Sequence, residues 1–209
     1  MAKSVRETRR GGKKKTHPVT IIICEGKKTE PIYFEHFKGR NKLINIKIVK
    51  SVAGKNYDAL IKKGVEEKAG IESSCTVWCV SDVDVDYKTP DSQSAKNKQL
   101  IKYANDAKAN DFNIALSNPC FELWFLLHFT YTTGTMQNYN AVDNVLSKHL
   151  PDYKKNKDVF GLLSDKLETA IANGKKLKYH YEEQGTTDLM KVSINPYTNV
   201  WELVESLCN

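Results

Sequence analysis

The fold is first indicated by the run VTIIICEG at residues 19–26, in which six apolar or β-branched residues precede Glu25 and Gly26. A continuous run of this kind is typical of a strand buried on both faces of a parallel sheet. The next residues predict a turn over 25–28 and a helix starting at 29–31, because proline is favoured in the first helical turn. The folded part of the chain therefore begins with a β-α unit.

The same unit recurs through the first half of the chain. Further apolar runs predict strands at 45–49, 76–80 and 112–116, and helical patterns lie between them at 57–69 and about 94–109. Alternating strands and helices indicate an α/β fold with a mostly parallel sheet of four strands and helices on both faces. The arrangement predicted is Rossmann-like.

The last third of the chain shows helical patterns and no strand signal. Helices are predicted at residues 121–129, about 141–148, about 164–183 and 200–207. The predicted organisation is a disordered basic arm at 1–17, an α/β domain at 18–118, and a helical C-terminal extension at 119–209 packed on that domain.

Charge and composition limit the classes of function. Residues 1–17 hold seven of the 32 Lys and Arg and one glutamate, so they contribute +6 of the net charge of +7. A short basic arm either contacts phosphate groups or only keeps the chain in solution.

No run is long and apolar enough for a signal peptide or membrane span, so we expect a cytoplasmic protein. The five cysteines are odd in number and lack C-x-x-C spacing, so we expect neither disulfides nor a zinc site.

Acidic residues follow two of the predicted strands. Glu25 ends the first strand, and Asp82, Asp84 and Asp86 follow the third. Ligands of parallel α/β sheets bind at the carboxyl ends of strands, and an extended segment would point the three aspartates the same way. Clustered carboxylates repel unless a hard cation lies between them, which predicts a Mg²⁺ site with Mn²⁺ as a substitute. The alternative is a solvated acidic turn.

Three motifs carry a resemblance to a known family. They are CEGKKTE at 24–30, SNPCFELW at 117–124 and NPYTNV at 195–200. The first motif together with Asp82-Val83-Asp84 resembles the Toprim domain of topoisomerases, primases and OLD-type nucleases, and all three resemble RloB-like proteins. The resemblance implies a Toprim fold, Glu25 as acid/base, Asp82 and Asp84 as Mg²⁺ ligands, and bacterial antiviral defence with an ATPase partner. Many such proteins have two aspartates here, so Asp86 departs from the pattern.

Further candidate residues lie near the same sheet edge. Glu122 begins an apolar helix after the fourth strand, where it either reaches the metal cluster or complements the positive helix N-terminus. Lys27 and Lys28 follow Glu25, where free amides favour phosphate. The candidates for nucleic-acid contact are Lys27, Lys28, Arg9, Arg10, Lys13, Lys14 and Lys15. The lysine groups at 154–157 and 175–178 either line a nucleic-acid path or are solvated helix faces.

The leading functional hypothesis is a metal-dependent endonuclease, or a nuclease subunit, that hydrolyses phosphodiester bonds in DNA or RNA. A second hypothesis is another phosphoryl or nucleotidyl transfer on the same domain. The competing class is a non-catalytic module that binds metal or nucleic acid as an effector or adaptor of an ATPase complex. A phosphatase or receiver-like domain fits less well, because those sites place an aspartate where this chain has Glu25.

Overall fold

The computed structural model describes residues 17–50, 56–85, 87 and 89–208. The predicted arm at 1–17 therefore falls almost entirely outside the described residues. The elements, in chain order, are β1 (Val19–Cys24), α1 (Thr29–Glu35), β2 (Asn45–Lys50), α2 (Tyr57–Ala69), β3 (Cys75–Asp82), α3 (Pro90–Ala109), β4 (Phe112–Asn118), α4 (Glu122–Leu127), α5 (Tyr139–Leu146), α6 (Phe160–Leu163), α7 (Leu167–Glu183), β5 (Tyr197–Thr198) and α8 (Val200–Cys208).

The strands form one mostly parallel sheet in the order β2-β1-β3-β4-β5. Strands β1 to β4 are parallel to their neighbours, which confirms the predicted α/β fold class. The expectation that no strand follows residue 119 was wrong, because β5 pairs antiparallel with the end of β4. A strand of two residues is too short to show the alternating pattern by which strands are predicted.

The side chains of β1 alternate between the two faces of the sheet. Ile22 and Cys24 belong to a core with α1, α4, α7 and α8, whereas Ile21 and Ile23 belong to a core with α2 and α3. All four side chains are fully buried. Both faces are therefore covered by helices, which explains why β1 is apolar at nearly every position.

Several helix bounds differ from the prediction. Helix α3 begins at Pro90 rather than 94, where proline occupies the first turn. The helix predicted at 164–183 is a 3₁₀ turn, Ser164–Lys166, followed by α7, and the short α6 precedes it. The division into an α/β domain at 18–118 and an extension at 119–209 stays a prediction. No helix among the described residues has the length and apolar character needed to cross a membrane.

Candidate functional site

A pocket of about 380 Å³ lies at the carboxyl ends of β1 and β3. It is lined by five carboxylates and three lysines. The carboxylates are those of Glu25, Glu30, Asp82, Asp84 and Glu122, and the lysines are Lys27, Lys28 and Lys155. The structure thus brings together six of the predicted site residues and adds Glu30 and Lys155, which the sequence did not place there.

Glu25 and Asp82 meet directly where the two parallel strands end. The Glu25 N–H donates to the Val80 carbonyl at 3.0 Å, which continues the pairing of β1 with β3. The Asp82 N–H then donates to Glu25 Oε2 at 3.2 Å. On the other side, the Tyr57 hydroxyl donates to the Asp82 carbonyl at 3.0 Å. These bonds fix the Glu25 carboxylate next to the end of β3.

Asp84 reaches the same pocket by a different backbone path from the one expected. The idea that 82–86 stay extended was wrong, because β3 ends at Asp82 and Asp84 has a φ of 35°. The Asp84 N–H donates to the Pro119 carbonyl at 3.4 Å, so the chain turns toward the start of α4. Aspartate tolerates this left-handed region better than most residues. Asp86 lies outside the described residues, and its predicted role stays a prediction.

Glu30 is a buried carboxylate at the predicted helix start, and its position in the pocket was not predicted. It is 6% exposed, and its Oε1 accepts a hydrogen bond from the Gly26 N–H at 3.1 Å. A Cβ at position 26 would overlap the Glu30 carboxylate, so glycine is required for this close approach. Burial, followed by the charges of Glu122 and Glu25, raises the pKa of Glu30 above its ordinary value.

Glu122 lies in the first turn of α4 and is 2% exposed. Its Oε1 accepts a hydrogen bond from the Tyr153 hydroxyl at 3.0 Å. The sequence left open whether Glu122 reaches the acidic cluster or only the helix N-terminus. The structure places it in both environments, because it begins α4 and lines the pocket with Asp82.

Burial and neighbouring carboxylates disfavour the charged form of Asp82. Burial, and then the charges of Glu30, Glu122 and Glu25, raise the pKa of Asp82 well above its ordinary value, whereas Lys155 lowers it. Among the described residues, no three His, Cys, Asp or Glu side chains are arranged to hold a metal ion. The donor set is nevertheless all oxygen and carries excess negative charge, which suits Mg²⁺ held by one or two carboxylates and water.

Lysines on two sides of the pocket balance part of this charge. Lys27 and Lys28 follow Glu25, and Lys155 comes from the segment between α5 and α6. The Thr29 hydroxyl donates to the Lys155 carbonyl, and Lys155 Nζ lies 4.1 Å from the centre of the Tyr139 ring. In contrast, Lys175 pairs with Glu205 on α8, so this lysine group serves a helix contact.

The remaining predicted nucleic-acid contacts stay predictions, and one buried histidine lies outside the pocket lining. The basic residues Arg9, Arg10, Lys13, Lys14 and Lys15 lie outside the described residues. His128, which follows α4, is buried beside Trp124, and its Nδ1 contacts the Trp124 carbonyl at 2.9 Å. Burial lowers the pKa of His128 to about 4, so it is neutral at physiological pH.

The chain was compared with known proteins and families. Neither the curated proteins nor the solved structures gave a match. The sequence model of one family, described as RloB-like protein, matches residues 20–207. That range includes the pocket carboxylates, all of β1 except its first residue and all of α8 except its last, so it contains nearly the whole sheet and the site. The chain belongs to the RloB-like protein family.

Proposed function

We propose that the chain is a Mg²⁺-dependent Toprim-type nuclease, or the nuclease subunit of a complex, that hydrolyses phosphodiester bonds in DNA or RNA. The observation that carries the proposal is the contact of Glu25 with the end of β3, where Asp82 N–H donates to Glu25 Oε2. Acidic side chains from two strand ends thereby share one pocket. Carboxylates that meet in one pocket can hold the metal ions that metal-assisted phosphoryl chemistry uses.

Asp82 and Asp84 are the residues that would hold Mg²⁺, and Glu122 would extend the set toward a second ion. A bound Mg²⁺ supplies a Lewis acid that polarises the scissile phosphate. The role we propose for Glu25 is to move a proton between the attacking or leaving oxygen and solvent, while Asp82 N–H fixes its orientation. Mn²⁺ is expected to substitute, because it has similar ligand preferences.

The lysines support a polyanionic substrate. Lys27, Lys28 and Lys155 surround the carboxylates, so a phosphate entering the pocket meets positive charge on two sides. The predicted contacts of the basic residues at 9–15 would extend this path along a nucleic acid. Function in bacterial antiviral defence with an ATPase partner is part of the proposal and derives from the resemblance to RloB-like and OLD-type proteins.

The experiment is a cleavage assay on DNA and RNA with Mg²⁺ or Mn²⁺, with and without the ATPase encoded nearby. Glu25→Gln and Asp82→Asn should each reduce cleavage by about 10²–10⁴-fold, because general acid/base and metal-ligand roles contribute on that scale. Asp58→Asn is the control, because Asp58 is an exposed carboxylate on α2 that pairs with Lys102. Full activity in both pocket variants would contradict the proposal and favour the non-catalytic effector or adaptor.

A further inference from the structure

Two buried asparagines from distant parts of the chain contact each other near the acidic segment, by which we mean residues 82–85. Asn118 ends β4 and Asn195 precedes β5, and both are followed by proline in a cis peptide bond. Asn195 Nδ2 donates to Asn118 Oδ1 at 2.9 Å, and the two residues are 6% and 1% exposed. The amide pair therefore forms a rigid polar unit behind β4, with both side chains excluded from solvent.

The hydroxyl of Tyr87 completes this unit. It donates to Asn118 Oδ1 at 2.6 Å, with the Val192 carbonyl as a second acceptor at 3.1 Å. The Tyr87 hydroxyl oxygen also lies 2.7 Å from Asn195 Nδ2, whose two hydrogens are shared among Tyr87, Asn118 and the Met136 carbonyl. Asn195 also exchanges two hydrogen bonds with the backbone of Met136. Tyr87 is thus attached to the end of β4 and to the segment around 192–195, which follows the predicted α/β domain.

Tyr87 lies three residues beyond Asp84, so described contacts hold the chain on both sides of Asp84. Before Asp84, Val83 N–H donates to the Ser117 carbonyl at 2.8 Å, beside the contact of Asp82 with Glu25. Beyond Asp84, Tyr87 is bound by Asn118 and Asn195. Asp84 lies between these anchors with positive φ. A residue in this region keeps its conformation only when its surroundings hold it there.

We propose that Tyr87, Asn118 and Asn195 are positioning residues that hold Asp84 toward the pocket. None of the three lines the pocket, so they act through the backbone of the acidic segment. This inference rests on the proposed function, because it assigns the three residues to the same cation site. It also gives a role to the segment around 192–196, because Val192 and Asn195 contact Tyr87 and Asn118.

Tyr87→Phe tests the inference because it removes only the hydroxyl. Tyr181→Phe is the matched control: Tyr181 donates to the Pro196 carbonyl at 3.2 Å, one residue from Asn195, and does not line the pocket. Losing one hydrogen bond should accelerate amide exchange at Val83 and Asp84 by about fivefold to tenfold in Tyr87→Phe alone. Supporting residues around a metal site typically change affinity by at least about tenfold, so Tyr87→Phe should weaken Mn²⁺ binding by that factor.

The outcomes separate the two claims. Equal amide exchange in Tyr87→Phe and Tyr181→Phe would overturn the positioning role, as would a Mn²⁺ affinity of Tyr87→Phe equal to that of the wild type. Absence of Mn²⁺ binding by the wild type would overturn the proposed function and, with it, the cation-site part of the inference. Faster exchange together with weaker Mn²⁺ binding in Tyr87→Phe supports both.

Discussion

The Tyr153 hydroxyl donates a hydrogen bond to Glu122 Oε1 at 3.0 Å and so joins the segment between α5 and α6 to the first turn of α4. The same segment accepts a second bond at the Lys155 carbonyl from the Thr29 hydroxyl. These two contacts dock the segment over the carboxyl edge of the sheet and place Lys155 at the pocket. One wall of the site therefore comes from the helical part of the chain.

Replacing Tyr153 should destabilise this wall. Tyr153→Phe leaves the buried Glu122 carboxylate without that donor, and hydrogen bonds to charged groups contribute about 1.5–3 kcal/mol. We expect the free energy of unfolding, measured in urea, to fall by about that amount. Tyr179→Phe is the control, because Tyr179 is 60% exposed and should change stability by less than about 0.5 kcal/mol. Equal stabilities of the two variants would show that the contact contributes nothing.

Lys155 should contribute to nucleic-acid binding, whereas the nearby Lys157 should contribute less. Lys155 lines the pocket, but Lys157 Nζ donates to the Asp152 carbonyl at the surface. The slope of log affinity against log salt should become shallower by about 1 in Lys155→Gln, because one phosphate contact is lost. Fluorescence anisotropy with a labelled oligonucleotide in EDTA measures this slope. An unchanged slope in Lys155→Gln would remove Lys155 from the substrate path.

Glu30 should make the metal-free protein less stable as pH rises. Its pKa is raised above the ordinary 4.5, first by burial and then by Glu122 and Glu25. A carboxyl with a raised folded pKa contributes stability below the ordinary value and loses it as pH rises through the folded pKa. In EDTA, the Tm of the wild type should therefore fall relative to that of Glu30→Gln as pH rises from about 4 to about 8. Each kcal/mol lost from the free energy of unfolding should lower the Tm by about 2–4 °C.

The matched control for Glu30 is Glu72→Gln, since Glu72 is exposed between α2 and β3. Its Tm should follow that of the wild type across the whole pH range. Parallel curves for Glu30→Gln and the wild type would contradict the raised pKa of Glu30 that burial and the neighbouring carboxylates cause.

Helices α7 and α8 should tolerate no added methyl group at their contact. A Cβ at Gly174 would lie 2.5 Å from Trp201 Cδ1, whereas a Cβ at Gly161 meets nothing within 4 Å. Gly174→Ala should lower the free energy of unfolding by about 1–3 kcal/mol, as overpacking does. Gly161→Ala, also in a helix, should be neutral or stabilise by up to about 1 kcal/mol. Urea unfolding compares the two, and equal effects would contradict the packing described.

The strands and the meeting of Glu25 with Asp82 were predictable from the sequence. Continuous β-branched runs identify buried parallel strands, and the carboxyl ends of such strands share one edge of the sheet. Glu30 was not predictable as a site residue, because a helix start does not reveal which side chains turn toward the preceding loop. Nor was Lys155, which is 126 residues from its contact Thr29, a separation that no local pattern reports.

The turn at Asp84 illustrates the same limit. Period-two spacing of Asp82 and Asp84 predicted side chains on one side of an extended segment, yet the backbone turns at Asp84 because its N–H bonds to the Pro119 carbonyl. Both side chains still line the pocket. Local spacing thus predicted that both residues lie in one place, but the tertiary contacts bring them there by a different geometry.

The most direct test of the account is a Mn²⁺ titration of the wild type, Glu25→Gln, Asp82→Asn and Asp58→Asn, with free Mn²⁺ followed by electron paramagnetic resonance. If acidic side chains from β1 and β3 meet at one cation site, the wild type and Asp58→Asn bind Mn²⁺ saturably. Asp82→Asn, which lacks a proposed ligand, binds it at least about tenfold more weakly, and Glu25→Gln, which loses a charge beside the ligands, binds it more weakly than the wild type. Equal binding by all four proteins, or none by the wild type, would contradict the account.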